Sequence, residues 1–185
     1  MNRLKTCVQA LHYLLTKLGT TDKLKLVKLM FLADKLHLIR YGRTITGDTF
    51  LAIPNGPVGS MAKDVLSGEM GFLSQNDLSF CEQFIEQSGN YDYRTGEKRA
   101  DFGLLSKSDY KILDEIILKF GKFDKWQLVK LTHKYPEWAQ FENVMDSETI
   151  RCKSIELHEL FSTIPDDPLG VTQKMVDEAK DIFLG

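Results

Sequence analysis

The segment from Lys23 to Tyr41 is apolar almost all the way round a helix, and no other stretch constrains the fold as strongly. Leu24, Leu26, Val27, Leu29, Met30, Phe31, Leu32, Leu36, Leu38 and Ile39 leave only a narrow polar stripe, on which Lys28 and Lys35 stand one above the other. A helix without a wet face must be surrounded by other elements. Thr21 and Asp22 can cap its start, and Gly42 supplies its stop. The expected fold is mainly α: a compact multi-helix domain built around this helix.

The flanking sequence provides the partners. Leu4, Val8, Leu11, Leu15 and Leu18 recur at steps of four and three, predicting an amphipathic helix ended by Gly19. In the second half, Ser106 with Asp109 and Asp124 with Gln127 have capping-box spacing. They predict helices closed by Gly121 and ending before Pro136. A further helix is expected from Ser147 or Ser154 to Phe161, and Thr172 is read as the cap of a last one through Phe183. Between the halves the period changes. Thr46-Gly47-Asp48 reads as a turn, Thr49 to Ile53 as extended, Pro54 to Gly59 as loop, and Ser60 to Leu66 as a short helix. Phe80 to Ile85 fits strand or helix equally. A small antiparallel β element is expected in the middle, within Gly68–Gly103. Residues 1–185 are read as a single domain with a C-terminal helical extension over 170–184.

Composition narrows the function classes. Hydrophobic residues make up 43% and charged residues 27%, so the chain can bury a core. No apolar run reaches the roughly 18 residues of a membrane span. Cys7, Cys81 and Cys152 are odd in number and widely spaced, pointing to reduced thiols and a cytoplasmic setting. Met1 to Arg43 holds nine bases against two acids, and Glu137 to Gly185 eleven acids against four bases. Ends that pack together, or that each form a solvated helix face, explain this segregation better than a nucleic-acid face, because the chain is not basic overall. The sequence shows no helix-turn-helix and no aromatic–basic interleaving of the kind single-strand binders use.

The chemistry-bearing motifs are absent. His12, His37, His133 and His158 form no zinc spacing, and no phosphate-binding glycine pattern follows a strand. Neither a catalytic constellation nor a cofactor or metal site is expected. Three features invite a binding role instead. Asp34 shares a helix face with Val27, Met30, Phe31 and Leu38, so it should point inward and need a partner. Arg43, Lys63 or the amides of the Pro54–Gly59 loop could satisfy it, or it could line a groove. The Ile53–Val58 segment is either a rigid turn or a pre-organised presenting loop. Thr132, His133 and Trp138 read as a packed corner, with Trp138 an interface anchor if exposed.

Ordered together, three runs carry a family resemblance. They are Lys25-Leu26-Val27-Lys28-Leu29-Met30-Phe31-Leu32-Ala33-Asp34, then Tyr41-Gly42-Arg43, then Phe50 to Val58 ending in Gly56-Pro57-Val58. Later come Leu105-Ser106, Phe120-Gly121, Leu131-Thr132-His133 and Glu137-Trp138. This set, from about Leu4 to Phe161, resembles the Panacea domain, also called the SocA-like antitoxin domain. Ile53 stands where the family often has an aromatic, and Met30-Phe31 where Leu-Tyr is more usual. The resemblance implies an antitoxin of a bacterial or prophage toxin–antitoxin system. Its partner would be a cognate protein toxin encoded by the adjacent gene and neutralised by direct binding. The alternatives are an adaptor that hands its partner to a cellular protease, and a DNA-binding autoregulator. The expected partner-binding residues are Lys28, Asp34, Arg43, Phe50, Asn55, Gly56, Pro57, Val58, His133 and Trp138.

Overall fold

The computed structural model describes residues 2–68, 73–101, 103–145 and 151–184. Helix α1 (Asn2–Leu18) buries Leu4, Cys7, Val8, Leu11, Leu14 and Leu15. It stops where Gly19, at φ +73°, donates its amide to the Leu15 carbonyl. A two-residue strand, β1 (Thr21–Asp22), leads into α2 (Lys23–Tyr41). The Asp22 carboxylate accepts the Leu24 amide at 2.8 Å and caps this helix. Every residue from Leu26 to Ile39 is buried, the two lysines included. Helix α2 is the axis of the fold, as its all-round apolarity requires.

After Gly42 the chain turns through 44–48 into an antiparallel hairpin of β2 (Phe50–Ile53) and β3 (Gly56–Gly59). The reading of Pro54–Gly59 as loop is thus corrected: only Pro54 and Asn55 form the turn, and Gly56–Gly59 is a strand. Pro57 is tolerated because β3 lies at the edge of a sheet ordered β3-β2-β6, where a missing N–H breaks no ladder on its open side. Helix α3 (Ser60–Ser67) follows directly. Its first amides are capped from a distance by Asp48, which accepts Met61 N–H at 2.9 Å and Ala62 N–H at 3.1 Å. Gly59 makes this approach feasible, since a Cβ there would stand 2.4 Å from Asp48 Oδ2.

The middle stretch resolves its ambiguity in two parts. Helix α4 (Gln75–Phe84) is closed at its start by a Ser74–Asp77 capping box, and strand β4 (Ile85–Gln87) begins where it ends. Strand β5 (Asp92–Thr95) pairs antiparallel with β4 and with β1, forming the small β element expected there. Helix α5 (Lys107–Phe120) starts at the Ser106–Asp109 box, and α6 (Lys125–Thr132) at the Asp124–Gln127 box. Two short helices, α7 (Pro136–Ala139) and α8 (Glu142–Met145), complete the second half.

The helix expected to end at Phe161 is replaced by strand β6 (Lys153–Ile155) and a single 3-10 turn at Leu157–Leu160. The open edge of β2 accounts for this: Ile155 pairs with Phe50 and both side chains are buried. Residues 147–150 of that expectation lie outside the described residues. Helix α9 (Gln173–Leu184) begins beyond Thr172, whose hydroxyl accepts the Met175 amide at 3.3 Å. Helix α2 contacts α1, α3, α5, α6, α9 and β3, so the helices and the hairpin share one core.

Candidate partner-binding site

The hairpin is pinned to the helical core from beneath, and the expected site residues form most of the fastening. Lys28 of α2 is completely buried and donates from Nζ to the Pro57 carbonyl at 2.8 Å. Burial pushes its pKa well below the ordinary lysine value. Trp138 of α7 donates from Nε1 to the Ile53 carbonyl at 2.9 Å. The His133 ring, at the C-terminal end of α6, stacks on the Trp138 indole with centroids 3.5 Å apart and planes 10° apart. That imidazole also faces the backbone of Asn55. Burial and then the nearby Lys28 charge lower its pKa, and the Asn55 contact opposes them. Phe50 and Val58 point into the core, Phe50 edge-on to Phe31 at 6.0 Å.

Gly56 is the point of closest approach. Its φ is +99°, and a Cβ there would lie 2.8 Å from Lys28 Nζ, 2.9 Å from His133 Cδ2 and 3.0 Å from Thr132 Oγ1. Only a residue without a side chain lets the hairpin rest on α2 and α6 together. Pro54 and Asn55 at the tip are exposed, and His133 is half-buried beside them.

Two expected residues act elsewhere. Asp34 is buried as predicted, but it holds the 44–48 turn and not the Pro54–Gly59 segment, and neither Arg43 nor Lys63 pairs with it. Its Oδ1 accepts the amides of Ile45 and Thr46 at 2.8 and 3.0 Å, and Oδ2 the Thr46 hydroxyl at 2.6 Å. Burial raises its pKa to about 7 against the pull of these hydrogen bonds. Thr46 Oγ1 in turn accepts the Asp48 amide at 3.1 Å, which links Asp34 through Asp48 to the start of α3. Arg43 lies at the far end of α2 from Lys28, about 20 Å away at 1.5 Å per residue. There it binds Asp109 Oδ1 at 2.7 Å and Ser106 Oγ at 3.0 Å.

Of the expected partner-binding residues, then, Lys28, Phe50, Gly56, Pro57, Val58 and Trp138 gather as an enclosed support for the hairpin. Trp138 is a packed corner and not an exposed anchor, because its ring is covered by His133 and the hairpin. Asn55, His133 and Arg43 reach solvent, Arg43 well apart from the other two.

A second buried fastening went unread in the sequence. Lys35 Nζ donates to Glu137 Oε1 at 2.7 Å, Ser162 Oγ at 2.8 Å and the Leu160 carbonyl at 2.9 Å, and stands 4.5 Å over the Tyr135 ring. Both charged side chains are fully enclosed. The signal available was the seven-residue step from Lys28 to Lys35 on a helix with no wet face: both ammonium groups had to find partners indoors. Lys35 uses all three of its donors.

No helix among the described residues is long and apolar enough to cross a membrane. No curated protein and no solved structure matches the chain at significance. Residues 26–139 match the family model described as antitoxin SocA-like, Panacea domain. The matched span is narrower than the Leu4–Phe161 resemblance, yet it holds α2, the hairpin, Gly56, His133 and Trp138. With more than half of its length in that match, the chain belongs to the antitoxin SocA-like, Panacea domain family.

Proposed function

We propose that the protein neutralises a cognate protein toxin by binding it directly, as one half of a bacterial or prophage toxin–antitoxin pair in the cytoplasm. The rigid hairpin carries the reading. Two hydrogen bonds, from α2 and α7, hold its backbone, and the Pro54-Asn55 tip is presented to solvent. A loop fixed in advance loses little conformational entropy on binding, which favours a tight complex. The enclosed signature residues set the shape of the hairpin, while the exposed tip and its rim meet the partner.

The reading is one of binding, and the two buried thiols support it. Burial pushes the Cys7 and Cys81 thiols above their ordinary range, away from the thiolate a nucleophile needs.

The test is co-expression with the product of the adjacent reading frame. That product alone should arrest growth, and this protein should relieve the arrest and copurify with it. Asn55→Arg should abolish relief while leaving thermal stability intact. Relief without a complex would overturn direct binding, and unimpaired relief by Asn55→Arg would remove the hairpin tip from the interface.

A further inference from the structure

His133 sits beneath the hairpin tip in surroundings that suit an uncharged ring. Its imidazole lies flat on the Trp138 indole and faces the backbone of Asn55. Nε2 is enclosed and has no hydrogen-bond partner among the described residues. The ammonium of Lys28 shares the enclosure: the position a Cβ would take on Gly56 is 2.9 Å from His133 Cδ2 and 2.8 Å from Lys28 Nζ. Cδ2 is bonded to Nε2, so the orphaned nitrogen belongs to the ring edge that approaches Gly56 and Lys28.

His37 shows what a buried histidine needs in order to carry a charge. Its Nδ1 faces the Arg43 carbonyl at 2.7 Å and its Nε2 the Asp109 carboxylate at 3.0 Å, so both N–H groups of an imidazolium would find acceptors. The neighbours of His133 are of another kind. From α2 it meets Lys28, and from the hairpin the backbone of Asn55 and Gly56. From α7 it meets the neutral Trp138 ring, while Glu137 next to it is turned to Lys35 and Ser162. On its own segment Thr132 directs its hydroxyl to the Leu128 carbonyl, and Lys130 and Lys134 are exposed. Two features favour a charged ring: the indole face and the C-terminal end of α6. The second is weakened because the Val129 and Leu131 carbonyls already accept the amides of His133 and Lys134. Against both stand a cation in the same enclosure, where solvent screens little, and an N–H without an acceptor. Burial and the Lys28 charge accordingly place the pKa of His133 below its ordinary 6.5.

We infer that His133 positions the hairpin tip only while its ring is uncharged, and that a proton on the ring, beside Lys28, frees the tip and releases the partner protein. The inference rests on the toxin-binding reading above and adds a pH control to the same site. The ring is half-buried, so a route to solvent is open. Taking that route strips the cover from the Trp138 indole and the support from Asn55, and Trp138 is the donor that holds Ile53. The direction follows from proton binding. The closed tip holds fewer protons than the free one, so closure strengthens as pH rises through the histidine range and weakens as it falls. Asp34 acts in the opposite sense on the 44–48 turn, so a variant at position 133 is needed to read His133 alone.

The test measures the affinity of the full chain for the purified product of the adjacent reading frame, from about pH 7.5 down to about pH 5.5, on either side of the ordinary histidine value. The wild-type chain should bind more weakly as pH falls, with a slope of at most about tenfold per pH unit for one proton. His133→Asn keeps a small polar plane but does not titrate there, and its affinity should fall less steeply for the same partner. Melting curves at both ends of the range check that the variant folds. A second readout needs no variant: in NMR spectra of the free wild-type chain, the Asn55 and Gly56 amide signals should shift with the titration of the His133 ring. Parallel pH profiles for the two chains, or tighter wild-type binding in acid, would overturn the inference while the toxin reading stands. Tip amides that ignore the ring titration would overturn it as well. No binding at neutral pH would overturn the toxin reading and the release step together.

Discussion

The ammonium of Lys28 lies 2.8 Å from the point where Gly56 would carry a Cβ, so the buried cation and the bare backbone fit each other. Replacing the glycine challenges both the left-handed conformation, at φ +99°, and this contact. Gly56→Ala should therefore destabilise the fold by about 1–3 kcal/mol. In a chain of this size each kcal/mol lowers Tm by about 2–4 °C. Thermal melting checks it, and an unchanged Tm would mean that the hairpin lifts off α2 without cost.

Asp34 makes stability depend on pH in a definite direction. Its carboxyl ordinarily titrates near 3.8, and burial raises it to about 7 in the fold. The native state therefore holds a proton that the unfolded state releases. The stabilisation from this group is complete below 3.8 and is lost as pH rises through about 7. Asp34→Asn should remove that decline. Urea midpoints followed across the window should fall with pH in the wild type relative to the variant, and parallel curves would refute the assignment.

The Lys35–Glu137 pair should show strong coupling. Glu137→Ala strands a fully buried ammonium, with an expected cost of about 3–5 kcal/mol. Lys35→Met together with Glu137→Leu removes both charges and should cost much less than the single changes summed. A double-mutant cycle in denaturant reads the coupling energy directly. Additive single effects would show that the two charges do not depend on each other.

Trp138→Phe keeps an aromatic against His133 but deprives the Ile53 carbonyl of its donor and leaves a small void. The expected loss is about 2 kcal/mol. Hydrogen exchange should rise at amides of β2 and β3 ahead of those of α2. Equal protection in both proteins would mean that the indole N–H does not hold the hairpin.

What could be read in advance follows the range of the interactions involved. The central helix, the capping boxes at Ser106 and Asp124, and the stop at Gly42 are local devices, legible because donor, acceptor and helix period lie within a few residues. Strand β3 was hidden by Pro57, whose missing N–H matters only in a central strand, and edge position is a tertiary fact. Strand β6 was hidden for the related reason that the edge of β2 made Lys153–Ile155 extended. At the site, the signature runs lead to residues that the fold gathers around the hairpin, and burial makes most of them its supports. Asp34 was read correctly as inward-facing and matched to the wrong loop, since three candidate partners lay within plausible reach.

The pairing of β6 with β2 joins residues that the ribosome delivers roughly a hundred positions apart. At elongation rates of about 5–20 residues per second, the edge of β2 waits on the order of 5–20 s for its neighbour. The hairpin can close on α2 as soon as β3 emerges, but its sheet is completed only after Lys153–Ile155 leaves the exit tunnel. A nascent chain therefore carries a formed tip on an unfinished sheet until β6 emerges.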